Sequence, residues 1–221
     1  MKTMLTFAGQ GSQYVGMGLD LLETYPALIK FINQASDILN LDMKEEFKKE
    51  ESFQKTFETQ LMMVITQAMM LSVLKDKDIK YDGVMGFSLG EMTALYAAGI
   101  YNYETLIKLT ASRAQAMQLA CDHTEGMMAA VLKLDAHIIE SICQKCFKED
   151  SYMVPVNYNS PQQTVISGHK TAFEKVSEAL KEAGGRVIPL KVAGAFHTQL
   201  MGYNLHAYET LLKETKFYSS H

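Results

Sequence analysis

Hydrophobic and polar positions alternate between two periods along this chain, and the changes of period mark its elements. Residues 4–8 (MLTFA) form a short apolar run that predicts a buried strand, ended by the turn Gly9-Gln10-Gly11-Ser12-Gln13. After Pro26, apolar residues recur at helical spacing to about residue 39, and proline suits a first helical turn. Residues 42–58 are charged and weakly periodic, which predicts short exposed helices. Residues 58–75 are apolar on most faces and predict a buried helix. The segment YDGVMGFSLGEMTALYAAG reads as a strand over 83–86, a sharp turn at Ser88, and a helix from 89 or 90. Asn102 is placed to cap a helix running to about residue 119.

From residue 126 the rhythm changes. Strand-like MMAAVLKL precedes a helical stretch that Asp135 is placed to cap. Two strands, MVPVNYN and QTVISG, flank a turn at Ser160-Pro161. An amphipathic helix then ends at Gly184-Gly185, and RVIPLKV forms a last strand. The order β-α-β-β-α-β is the split pattern of ferredoxin-like units. The expectation is therefore an α/β fold: a large α/β-hydrolase-like domain with a parallel sheet, formed by 1–124 and 194–221, and an inserted ferredoxin-like subdomain at 125–193.

Composition narrows the function classes. In 221 residues, apolar types make up 48% and charged types 21%, enough to build a core and unlike a disordered chain. The formal charge of −4 argues against a nucleic-acid partner. No run reaches the roughly eighteen apolar residues of a membrane span. The polar, glycine-rich start is unlike a secretory signal, and three cysteines suggest no disulfide framework, so a cytoplasmic setting is expected. The basic residues are nineteen lysines and only two arginines, Arg113 and Arg186.

The strongest chemical signal is Gly86-Phe87-Ser88-Leu89-Gly90, a G-x-S-x-G between a predicted strand and helix. Such a turn is too tight for side chains beside the serine. It lifts the hydroxyl out of the sheet and directs a helix N-terminus at it. The backbone N–H of Leu89 is then placed to bind an oxyanion. A serine needs a base to remove its proton. His123, His137 and His169 fall at predicted turns or helix ends, His206 on the last helix and His221 at the terminus. His197, in Gly194-Ala195-Phe196-His197-Thr198 after a strand, is the best-placed candidate. Arg113 falls on the same helix face as Leu109, and an inward arginine needs an anionic partner.

Other motifs are weaker. Gly9-x-Gly11 lacks the third glycine of a dinucleotide fingerprint. Cys143-x-x-Cys146 with Cys121 and His123 makes a poor zinc set, because the pair falls inside a helix; no metal is expected. An α/β-hydrolase-type esterase or thioesterase is the main alternative, but the HGGG-type loop of that class is missing and Arg113 has no task there.

Taken together, FAGQGSQYVGMG (7–18), GFSLGE (86–91), SRAQAMQ around Arg113, VNYNSPQQTVISG (156–168) and GAFHTQLM (194–201) resemble the malonyl-CoA:acyl carrier protein transacylase family, the acyltransferases of fatty-acid and polyketide synthesis. The resemblance implies Ser88 as the acylated nucleophile, His197 as its base, and the N–H groups of Gln10 and Leu89 as the oxyanion hole. Arg113 would hold the malonyl carboxylate. The implied partners are malonyl-CoA and an acyl carrier protein, whose phosphopantetheine supplies the accepting thiol; no cofactor resident in the chain is implied. Phe87 departs from the family, where malonyl-specific members often carry histidine. Family members also continue past KETKFYS, whereas this sequence ends at Ser219-Ser220-His221. The expectation is a C-terminally truncated member with no assignable third triad residue, active or reduced to a non-catalytic carrier-binding remnant.

Overall fold

The computed structural model describes residues 2–219. Ser220 and His221, where the truncation is read, lie outside the described residues. Two compact units are present. The first comprises Met1–Gln115 with His206–His221, and the second Ala116–Leu205.

In the first unit, β1 (Met4–Phe7) is followed by α1 (Leu19–Thr24), a 3-10 turn at Pro26–Leu28, α2 (Ile29–Leu39) and α3 (Met43–Glu46). A second 3-10 turn (Glu50–Phe53) leads into α4 (Thr56–Asp76). Next come β2 (Gly83–Gly86), α5 (Gly90–Ala97) and α6 (Tyr103–His123), whose first thirteen residues belong to this unit. β1 and β2 pair in parallel, Met4 opposite Gly83 through Phe7 opposite Gly86. β1 alternates between exposed and half-buried positions instead of being buried throughout, because among the described residues it is paired along one edge only.

The core of this unit is built on α4. Its residues 59–66 are buried without a break, so the helix has no solvent face over two turns. α4 is long and apolar enough to cross a membrane by composition, but 61% of the relevant window is buried inside the fold, as for a core helix. Ile32, Phe47, Leu106 and Ile107 pack around it. The capping role of Asn102 holds: its side chain accepts from the Thr105 N–H at 2.9 Å.

The stretch 42–58 differs from expectation. Its helices are short, but Met43 and Phe47 are fully buried and Phe53 nearly so. Three apolar anchors among many charges suffice to fold it onto the core. Glu46 is buried with them, accepting from Ser52 Oγ at 2.5 Å and Lys49 Nζ at 2.6 Å.

The second unit holds the end of α6, then β3 (Gly126–Leu132), α7 (Ala136–Cys146), β4 (Met153–Ser160), β5 (Gln163–His169), α8 (Lys170–Glu182) and β6 (Arg186–Pro189). These strands form one antiparallel sheet in the order β4-β5-β3-β6. Sequence order and sheet order together are the ferredoxin-like arrangement expected. α7 and α8 bury Ile139, Cys143, Val176 and Leu180 against one sheet face. Asp135 stands at the N-cap of α7, but its side chain makes no capping bond. The chain then returns to the first unit through α9 (His206–Glu214), where Tyr208, Leu211 and Leu212 pack on the main core.

Candidate active site

The serine turn is shaped by what its neighbours lack. β2 ends at Gly86 and α5 begins at Gly90, leaving three residues to reverse the chain. A Cβ on Gly86 would lie 2.1 Å from the Glu91 nitrogen, and one on Gly90 would lie 2.0 Å from the Phe7 carbonyl oxygen. Both contacts are to backbone, which cannot swing aside, so only glycine fits. Between them Ser88 is held at φ 52°, a left-handed conformation that non-glycine residues rarely adopt. Strain of this kind, of order 1–3 kcal/mol, persists where surrounding structure enforces it. Ser88 is half-buried, at the entrance of α5.

The turn after β1 comes up against the serine turn. A Cβ on Gly9 would lie 2.6 Å from the Phe87 carbonyl oxygen, so Gly9 permits the close approach of the two turns. Gln67 of α4 fixes the pair: its Nε2 donates to the Ala8 carbonyl at 2.8 Å, and its Oε1 accepts from Thr93 Oγ1 of α5 at 2.6 Å. The Gly11 N–H is engaged by Gln13 Oε1 at 2.7 Å. Among the described residues, no acceptor engages the N–H of Gln10 or of Leu89. Two unspent amide donors on adjoining turns suit an oxyanion.

Arg113 reaches the same place from α6. Its Nη1 donates to Gln60 Oε1 at 2.5 Å, and its Nη2 lies 3.5 Å from Ser88 Oγ. Burial lowers its pKa, opposed by Tyr208 and Glu91, and the guanidinium stays charged at neutral pH. The inward orientation expected from the helix face holds. The anionic partner expected with it does not appear: among the described residues, the ion pairs within 4 Å all belong to lysines. The guanidinium is oriented by neutral oxygens, with its charge uncompensated.

His197 belongs to the second unit, on the loop after β6. It is exposed and held at φ 65°, between buried Phe196 and Thr198, whose hydroxyl donates to the Ala195 carbonyl at 2.7 Å. Gly126 and Gly194 clear space for this loop, since a Cβ on either would lie about 2.5 Å from Ala195 and Cys121 respectively. Two other histidines are used differently. His123 stacks on Tyr203 with ring centroids 4.0 Å apart, and His169 Nδ1 accepts from the Tyr152 N–H. Cys143 is packed in the core of the second unit, and burial pushes its thiol up to about 12, as for a small apolar side chain.

Sequence reasoning passed over Gln60 and Gln67. Their signal was present: polar side chains inside a helix that is apolar all round must have partners in the interior.

A serine on a glycine-bounded strand–helix turn with a guanidinium 3.5 Å from its hydroxyl, in a chain with a ferredoxin-like second unit, is an arrangement suited to acyl transfer. The acyl transferase domain family matches residues 4–217, and the chain belongs to that family. It is 38% identical over 218 residues to the malonyl CoA-acyl carrier protein transacylase of Synechocystis, spanning 98% of this chain and 71% of that protein. It is 36% identical over 203 residues to the enzyme of the same name from Staphylococcus aureus, spanning 90% of this chain and 65% of that one. Among solved structures, it is similar to a malonyl-transacylase in complex with a type II polyketide acyl-carrier protein, with a TM-score of 0.93 at 32% identity, covering all of this chain and 72% of the other.

Proposed function

We propose that this chain transfers a malonyl group from malonyl-CoA to the phosphopantetheine thiol of an acyl carrier protein, through an acyl-serine at Ser88. The observation that carries this reading is the uncompensated guanidinium of Arg113 beside the Ser88 hydroxyl. A malonyl thioester has a carboxylate a few bonds from its reactive carbonyl. The planar fork of Arg113 holds such a carboxylate bidentately and so sets the carbonyl over Ser88.

The chemistry then runs in two balanced halves. Ser88 Oγ attacks the thioester carbonyl and gives its proton to His197. The tetrahedral oxyanion takes hydrogen bonds from the N–H groups of Gln10 and Leu89. The C–S bond breaks and coenzyme A leaves with the proton that His197 returns. In the second half the carrier thiol attacks the serine ester, His197 takes the thiol proton, and Ser88 recovers it as the malonyl thioester departs. An esterase would leave Arg113 without a task. Three free thiols suit a reducing, cytoplasmic compartment.

The test is intact-mass and peptide-level detection of malonyl on the chain after incubation with malonyl-CoA, followed by addition of holo carrier protein. The expected result is one adduct on Ser88, discharged to the carrier and absent from Ser88→Ala. No adduct on the folded chain, or loading undiminished in Ser88→Ala, overturns the reading.

A further inference from the structure

The sequence motifs single out Ser88, His197 and Arg113 but leave the partner of Arg113 unexplained. Gln60 is fully buried near the start of α4, within the uninterrupted buried stretch. Its amide oxygen accepts from Arg113 Nη1 at 2.5 Å. We propose that Gln60 is a positioning residue that sets selectivity for a dicarboxylic acyl group, by aiming the Arg113 guanidinium without cancelling its charge. This rests on the malonyl-transfer reading above.

Few side chains could stand at this place. A glutamate has the same shape and would make a stronger, charge-assisted bond to the guanidinium. It would also supply the counter-charge internally. A substrate carboxylate would then meet a neutral pair and would have to compete with a buried anion for the same donors. A methionine would keep the volume and the helix propensity but offer no comparable acceptor, freeing the arginine to sample other rotamers. The amide avoids both failures. It fixes one edge of the fork through a neutral oxygen and leaves the remaining N–H donors and the whole positive charge for the ligand. The other groups bearing on the cation are Tyr208, a phenol that is neutral at working pH, and Glu91, which is exposed and outside ion-pair distance. Neither replaces a bound carboxylate.

The arrangement also explains the distance to the nucleophile. With Nη1 tied back to α4, Nη2 rests 3.5 Å from Ser88 Oγ, at the outer limit of a hydrogen bond, so the free edge of the fork faces the nucleophile. Gln60 therefore acts through Arg113, on how the substrate is held, and leaves the bond changes at Ser88 to other groups.

The test compares the wild-type chain with Gln60→Glu and Gln60→Met, each first checked for folding by thermal melt. Two readouts are used. The first is competitive loading of Ser88 from malonyl-CoA and acetyl-CoA. In Gln60→Glu the malonyl-to-acetyl ratio of kcat/KM falls roughly tenfold or more, the factor expected for losing one charge-assisted hydrogen bond, and the loss appears mainly in the malonyl KM. In Gln60→Met the ratio falls severalfold. The second readout needs no turnover. Phenylglyoxal labels arginine, and this chain has two, so exposed Arg186 is an internal reference. Malonate slows labelling of Arg113 relative to Arg186 in the wild type and loses that effect in Gln60→Glu. Without malonate, Arg113 labels faster in Gln60→Met than in the wild type. A folded Gln60→Glu that keeps the wild-type acyl ratio, or malonate protection equal in both proteins, overturns the proposal. If the wild type loads no acyl group at all, the transfer reading fails, while the malonate protection experiment still decides the role of Gln60.

Discussion

Replacing Arg113 by alanine isolates the electrostatic part of the site. The guanidinium contributes two kinds of contact. Internally it satisfies the fully buried Gln60 oxygen at 2.5 Å. Toward the ligand it offers the donors not used by Gln60, in a half-buried setting where water screens only partly. A hydrogen bond to a charged group contributes about 1.5–3 kcal/mol, so a two-point grip on malonyl, discounted for partial exposure, is worth roughly 3–4 kcal/mol. At about 1.4 kcal/mol per decade, Arg113→Ala should lower kcat/KM for malonyl-CoA by roughly 100- to 1000-fold. Acetyl-CoA has no second carboxyl to lose, so its loading should fall far less and the preference should collapse. Stability carries a separate cost. The buried Gln60 oxygen loses a donor, worth about 1–3 kcal/mol, partly offset by removal of a desolvated cation. For a chain of this length, that lowers the melting midpoint by a few degrees, at about 2–4 °C per kcal/mol. The assay is competitive loading from equimolar malonyl- and acetyl-CoA, read as the ratio of acyl-serine masses below the melting midpoint. Arg113→Lys should restore little, because an ammonium is a point charge without the planar fork. A folded Arg113→Ala that still prefers malonyl by the wild-type factor would refute the reasoning, since the carboxylate would then be held elsewhere.

Two further outcomes follow from the packing. Gly90→Ala places a Cβ 2.0 Å from the Phe7 carbonyl oxygen, so β1 and α5 must separate; the loss should exceed the roughly 1–3 kcal/mol of ordinary overpacking, and an unchanged urea midpoint would contradict the geometry. Glu46 gives an acid dependence. Burial alone would raise its pKa, but hydrogen bonds from Lys49 and Ser52 and the charges of Lys49 and Lys55 outweigh this and hold it below the ordinary 4.5. A carboxylate held low in the folded state stabilises fully above its unfolded pKa, and that contribution is lost as pH falls through the folded value. Wild-type stability should therefore decline below about pH 4.5 more steeply than that of Glu46→Gln, measured by urea unfolding across pH 3–6; parallel curves would show that the network contributes nothing.

The buried α4, the serine turn and the split β-α-β-β-α-β pattern were all legible because each depends on local rules. A helix apolar on every side has to be interior. A short strand followed by Gly-x-Ser-x-Gly has few other ways to turn. The charged stretch 42–58 misled for a related reason: counting polar residues gives an exposed segment, whereas burial is decided by Met43, Phe47 and Phe53, each with a pocket in a core built by distant helices. β1 read as buried for the converse reason, since its burial depends on how many of its edges and faces are covered.

By itself the sequence determined the elements, the order of the sheet in the second unit, and the residue types able to acylate, to bind an oxyanion and to grip a carboxylate. These follow from periodicity, from steric demands that only glycine meets, and from the chemistry of each side chain. Tertiary structure alone decided that Gln60, fifty-three residues before Arg113, accepts its hydrogen bond, and that Gln67 ties the first turn to α5. It also decided that, among the described residues, no carboxylate comes within ion-pair distance of the arginine. Contacts between residues far apart in the chain are fixed by how helices pack, and no local rule specifies which buried amide will face which buried charge.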